Sequence, residues 1–190
     1  SPEFSDSISK SNNYTKSLEY IFKSIQIKED INYMSGLSTS YNNLGIIYFS
    51  IGNYKKALEY YEKSLNVDEI GNKTQISQTR INIGNLYLKQ NQYTQAIKEC
   101  ERGLGIAKQI GAKMNIKDAC FCLSDCYDGM KNYAEAFRFY KMYSEMKDSI
   151  FNERSSVIIN EMQTKYETEK KQQEIDTQQI IIERRNYTIY

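Results

Sequence analysis

The side chains best equipped for chemistry are few and oddly placed. Four cysteines stand at Cys100, Cys120, Cys122 and Cys126. Cys122 and Cys126 are one helical turn apart, so on a helix they share a face and could supply half of a metal site. Completing it takes a second cysteine pair or histidines, and the chain contains no histidine. No metal and no cofactor are therefore expected. Three of the four thiols crowd one segment, which is not the spacing of a disulfide framework. They read instead as small buried thiols in a tight helix–helix seam. The missing histidine also removes the side chain that changes protonation near neutral pH. No glycine-rich phosphate loop follows a strand, no nucleophile elbow occurs, and no Lys, Glu or Tyr is singled out as acid, base or nucleophile. The chain is read as a non-enzyme.

Bulk composition agrees with a binding role. The 190 residues are 40% hydrophobic and 26% charged, which suits a globular chain and not a disordered one. A net charge of +1 sets up no broad field for nucleic acid or acidic lipid. The aromatics are not interleaved with arginines in a basic strip, so no nucleic-acid partner is expected. No apolar run approaches the ~20 residues of a membrane span, and no signal peptide is recognisable. Ser1 to Phe4 resemble a cloning scar and are set aside, so the chain is read as a piece of a longer protein. The single proline is Pro2, so none breaks a helix in the interior.

The elements that would position any site come from an internal repeat. Tyr14, Tyr54, Tyr93 and Tyr133 recur about 40 residues apart. Three residues beyond each stands a small residue, Ser17, Ala57, Ala96 and Ala136, and four beyond that a bulkier one, Ile21, Tyr61, Cys100 and Tyr140. Upstream, Leu44-Gly45 matches Ile83-Gly84 and, more loosely, Leu123-Ser124, followed by Tyr48, Tyr87 and Tyr127. The glycines and alanines let two helix backbones approach, and the tyrosines fill the space between hairpins. This pattern resembles the tetratricopeptide repeat, over residues 8–147. The resemblance implies an all-α superhelical solenoid of helix hairpins: a partial first copy with a stub of its first helix around Ile8, then copies at about 36–70, 75–109 and 115–147. The closing proline of the family is absent, and the period exceeds the usual ~34 residues. Gly71 and Gly111 are placed to cap second helices in a left-handed turn. The last copy departs most, with Ser124 for glycine and Cys120 where a large aromatic is usual.

The resemblance also assigns an inner, concave face lined by the first helix of each copy. By their offset from the Leu-Gly pair, Thr39, Asn42, Asn43, Ile46 and Phe49 point inward in one copy, and Gln78, Asn82, Asn85 and Leu88 in the next. The last copy offers Asp118, Phe121, Cys122, Asp125 and Asp128. Asn43 and Asn82 share a register, and an amide carries donors and acceptors that can pair with an extended peptide backbone. A peptide or protein segment in this groove is the expected partner. Arg80 and Lys89 are out of register for a carboxylate clamp.

Beyond Tyr143 the repeat pattern stops. Residues 148–190 contain neither Gly nor Pro and predict one long helix. Met146, Ile150, Phe151, Val157, Ile158, Ile159 and Met162 form an apolar stripe able to cap the solenoid, while residues 163–174 are almost wholly polar. The stretch from Lys147 to Lys171 resembles the segment that joins such repeats to a membrane helix in bacterial membrane-anchored signalling proteins, mostly sensor histidine kinases and some helix-turn-helix regulators. That resemblance implies an extracytoplasmic (periplasmic) sensor part of an inner-membrane protein, with a span expected after Tyr190. The alternative is a cytoplasmic scaffold or peptide-responsive regulator with no membrane link. For residues 148–190, a homodimer and a frayed single helix weigh evenly, because Glu169, Gln172 and Gln173 interrupt the coiled-coil seam.

Overall fold

The computed structural model describes residues 2–67 and 72–187, with side chains described for 14–34, 36–67 and 72–181. The described residues form helices and turns only: α1 (Pro2–Asp30), α2 (Met34–Ser50), α3 (Tyr54–Val67), α4 (Lys73–Lys89), α5 (Tyr93–Ile110), α6 (Lys113–Gly129) and α7 (Tyr133–Tyr187). The chain divides into two compact units, Ser1–Met146 and Lys147–Tyr190.

In the first unit the hairpins α2/α3, α4/α5 and α6/α7 turn in the same way. Gly52, Asn91 and Lys131 each take a left-handed conformation, with φ of 79°, 57° and 60°. Two residues later the second helix begins, and the intervening N–H reaches back to a repeat tyrosine: Asn53 to the Tyr48 carbonyl at 2.8 Å, Gln92 to Tyr87 at 2.9 Å and Asn132 to Tyr127 at 2.8 Å. That bond satisfies a carbonyl the helix end would otherwise leave open, and it holds even Lys131 where glycine is easier. Asn53 and Asn132 then cap the next helix through their side-chain oxygens, accepting from Lys56 N at 3.1 Å and Glu135 N at 3.4 Å. Gly111 closes α5 with φ 68°, as expected of it; Gly71 lies outside the described residues.

The seams show why small residues recur. A Cβ on Gly45 would lie 2.3 Å from the Tyr61 ring, and one on Gly84 2.2 Å from Cys100 Sγ. In the last copy Ser124 replaces that glycine and turns the loss to use, donating its hydroxyl to the Ala136 carbonyl at 3.0 Å. Ser77 bridges the preceding copy the same way, to the Gly103 carbonyl at 2.8 Å. Both bonds satisfy a buried hydroxyl inside the seam.

Two expectations are corrected. The stub around Ile8 is not a separate helix: α1 runs unbroken from Pro2 through Tyr14 to Asp30. The cysteines are not all thiols: Cys100 of α5 and Cys122 of α6 form a disulfide, Cα to Cα 6.6 Å, while Cys120 and Cys126 stay free and buried. Cys122 is consequently no part of the inner face. Tyr140 matches the register of buried Tyr61 and Cys100 yet is 54% exposed.

In the second unit, Phe151, Val157, Ile158, Ile159 and Met162 are exposed. The polar stretch is secured locally, with Thr164 and Thr168 hydroxyls donating to carbonyls one turn back at 2.8 Å and Gln172 donating to Asp176 at 2.8 Å. Among the described residues no helix is long and apolar enough to cross a membrane.

Candidate functional site

Helices α2, α4 and α6 are neighbours in sequence of repeats, and a chain of polar side chains ties the first two together. Gln78 Nε2 donates to Asn82 Oδ1 at 3.2 Å, and Asn82 Nδ2 donates to Asn42 Oδ1 at 3.0 Å. The same Asn42 oxygen accepts from Thr79 Oγ1 at 3.2 Å. Thr79 in turn lies 3.4 Å from Ser64 Oγ, which is 3.2 Å from Ser38 Oγ. Ser38, Ser64 and Thr79 are fully buried and Asn42 is only 5% exposed. Such a chain fixes the relative register of α2 and α4, because each buried group needs its partner.

Of the sequence-predicted residues, then, Asn42, Gln78 and Asn82 are brought together. Asn42 uses its oxygen on α4 and is buried against it. Asn43 and Ile46 are exposed, and Asn85 and Leu88 are half-buried, Leu88 packing on the cysteine-rich core. Phe49 is half-buried with its ring 5.7 Å from Tyr54. On α6, Phe121 is 44% exposed with its ring 5.1 Å from Tyr143 of α7. Asp125 is exposed overall, yet its carboxyl is raised above the ordinary aspartate range, first by desolvation, then by Asp128, with Lys89 of α4 opposing. The α6 end of the face therefore gathers acidic groups, with Lys89 acting against the Asp125 shift and Lys117 paired with Asp118 at 3.1 Å. Arg80 faces away, paired with Glu99 of α5 at 2.8 Å, so no basic clamp forms here.

Sequence reasoning missed Thr79, Ser64 and Ser38. A signal existed: Ser38 and Ser77 recur in register at core-facing positions, where a hydroxyl must find a partner. Among the described residues no group of three or more Cys, Asp or Glu could hold a metal ion. The face offers amides, apolar rings and two carboxylates, a set suited to holding a polypeptide segment.

Tetratricopeptide repeat family models match residues 38–69 and residues 77–110. Response regulator aspartate phosphatase I of Bacillus subtilis (strain 168) is 25% identical over 140 residues, covering 71% of this chain and 36% of that protein. The chain thus spans little more than a third of that relative's length. BtubC (BKLC) from P. vanneervenii superposes with a TM-score of 0.64 at 16% identity, over 73% of this chain and 58% of its own. A Rap protein complexed with competence and sporulation factor superposes with a TM-score of 0.55 at 17% identity, over 76% of this chain and 50% of its own. At these identities the structural likeness is one of fold. Residues 38–69 and 77–110 are tetratricopeptide repeats, and the chain carries an all-α repeat domain of the protein-interaction type.

Proposed function

We propose that the face of α2, α4 and α6 binds an extended peptide or protein segment and that the chain is the ligand-sensing part of a bacterial signal-transduction protein. The observation that carries this is the amide chain Gln78–Asn82–Asn42. It locks two first helices in register while leaving the side chains of Asn43, Ile46, Asn85, Phe121 and Asp125 to meet a ligand. Asparagine amides would pair with peptide N–H and C=O, Phe49, Leu88 and Phe121 would take apolar side chains, and Asp125 would favour a basic residue. The test is selection of binders from a displayed peptide library. Asn43→Ala/Asn82→Ala should weaken the selected peptide about tenfold or more; unchanged affinity would remove the face assignment.

Two outputs are in play. The resemblance of residues 147–171 favours a sensor histidine kinase, or a helix-turn-helix regulator, with the repeats outside the cytoplasmic membrane and the long helix passing the signal through a span beyond Tyr190. The second reading is a cytoplasmic peptide-responsive regulator. It is favoured by the phosphatase relative and by the Rap complex with its factor. Pairing of residues 148–190 between two copies would serve either, and the exposed apolar stripe motivates it. Light scattering on residues 1–190 against 1–162 distinguishes a tail-mediated dimer, which alone should fall to monomer mass. The gene sequence beyond Tyr190 separates the outputs: ~20 apolar residues followed by a kinase core supports the first, and a stop codon supports the second.

A further inference from the structure

The first helices that line the face are joined in two different ways. Between α2 and α4 the join is the chain of hydroxyls and amides that runs from Ser38 to Gln78. Between α4 and α6 a hydrogen bond stands at the opening turns, where Asn115 Nδ2 donates to the Thr74 carbonyl at 3.0 Å. Further along, the join runs through sulfur. A Cβ on Gly84 would lie 2.2 Å from Cys100 Sγ, so this sulfur rests directly on α4. Its bond to Cys122 carries the contact across to α6.

Both ends of this bridge lie beside residues of the face. Gly84 stands between Asn82 and Asn85, and Cys122 follows Phe121 and precedes Asp125 by three residues. Two thiols need van der Waals room between them that a bond removes. Cys100 cannot retreat, because α4 is already against it, so the extra room must come from α6. The neighbouring thiols leave the bridge alone. Cys120 and Cys126 are free and buried, and burial raises both above the ordinary thiol range. Exchange needs a thiolate, so the pairing stays with Cys100 and Cys122.

We propose that the Cys100–Cys122 bond is a redox latch on the peptide face. Closed, it holds α6 in register with α4. Its reduction by a dithiol shifts Phe121 and Asp125 relative to Asn82 and Asn85. The dithiol delivers two electrons and two protons, becomes a disulfide itself, and leaves two thiols in the seam. Both sulfurs are fully buried, so the reductant reaches them when α6 opens locally. The consequence, a weaker ligand, rests on the peptide-binding reading above; the movement of α6 does not.

The test uses the full chain, oxidised or reduced with dithiothreitol. Thiol labelling in denaturant should count two thiols before reduction and four after. Backbone-amide NMR should show shifts along α6 from Ile116 to Asp128 on reduction, with Asn43 of α2 unmoved. Cys100→Ser/Cys122→Ser should resemble the reduced chain and ignore dithiothreitol. A library-selected peptide should bind the reduced chain about tenfold more weakly. By linkage, the bound peptide should lower the midpoint potential of the bond by that same factor, about 30 mV for a two-electron couple. Four thiols before reduction, a bond that dithiothreitol leaves closed, shifts confined to the residues flanking the two cysteines, or equal peptide affinity in both states would each overturn the latch. Should no peptide bind either state, the peptide reading fails, and the shifts along α6 still decide the latch.

Discussion

The two hydrophobic clusters of the repeat unit solve one packing problem with different materials. The first is built on large rings, with Tyr48 and Tyr61 buried and Tyr41, Tyr54 and Tyr60 packed around them. The second is built on thiols and alanines: Cys100, Cys120, Cys122, Cys126, Ala96 and Ala119 are all fully buried. The registers correspond. Tyr61 covers Gly45 where Cys100 covers Gly84, and the Tyr41–Tyr60 stack gives way to Arg80–Glu99 in the next copy and to Cys120 and Phe139 in the last. The glycine seam sets how closely the helices pass, and the residue opposite it decides whether the join is filled by one ring or closed by a covalent bond.

The comparison can be broken first at its ring. Tyr61→Ala should cost about 4 kcal/mol, since a fully buried aromatic leaves a cavity that rigid neighbours do not fill; denaturant unfolding measures it. Gly84→Ala should come next, at about 3 kcal/mol. Its methyl would meet a sulfur tethered to α6 and the Ala96 carbonyl at 3.1 Å, neither free to give way. Gly45→Ala should cost less, because the atoms it meets belong to one ring that can tilt.

Reduction sharpens the contrast. The Cys100–Cys122 bond closes a loop with a sequence separation of 22, for which the chain-entropy account gives about 3 kcal/mol. A thermal melt with and without a phosphine reductant should show that loss in the native chain and none in Cys100→Ser/Cys122→Ser. Hydrogen exchange should place the loosening in α5 and α6 and leave α2 and α3 protected.

A smaller, pH-linked effect also belongs to the thiol cluster. Burial, with the Asp125 charge adding, pushes the Cys126 thiol up to about 12 from an ordinary value of 9.0. A raised folded-state value means that the folded chain holds the proton more tightly. This stabilisation is complete below about pH 9 and is lost as pH rises toward about pH 12. Cys126→Ala should flatten the decline in melting temperature over that window, and an unchanged slope would detach Cys126 from it.

Much of this architecture could be read in advance because repeats are local. The tyrosine that opens each second helix and the small residue three positions on act within one hairpin, and the left-handed Gly111 acts at the end of one helix, so spacing reveals them. The disulfide could not be read, because Cys100 and Cys122 belong to different copies and only the crossing of α5 and α6 makes them neighbours. The face was legible as positions but not as a network. Asn42 was expected to point inward, and its burial follows from Thr79 and Asn82 on the next copy, a relation that one copy's sequence does not contain. The continuous α1 escaped for another reason: Tyr14 carries the repeat signature, yet α1 runs through it without a turn.

The most direct measurement is an amide footprint of a library-selected peptide on the full chain. Perturbations at Asn43, Ile46, Asn85 and Asp125, with α3 and α5 silent, are the predicted result. A footprint on α3 and α5, or confined to residues 147–190, would contradict a binding face on the first helices of the repeats.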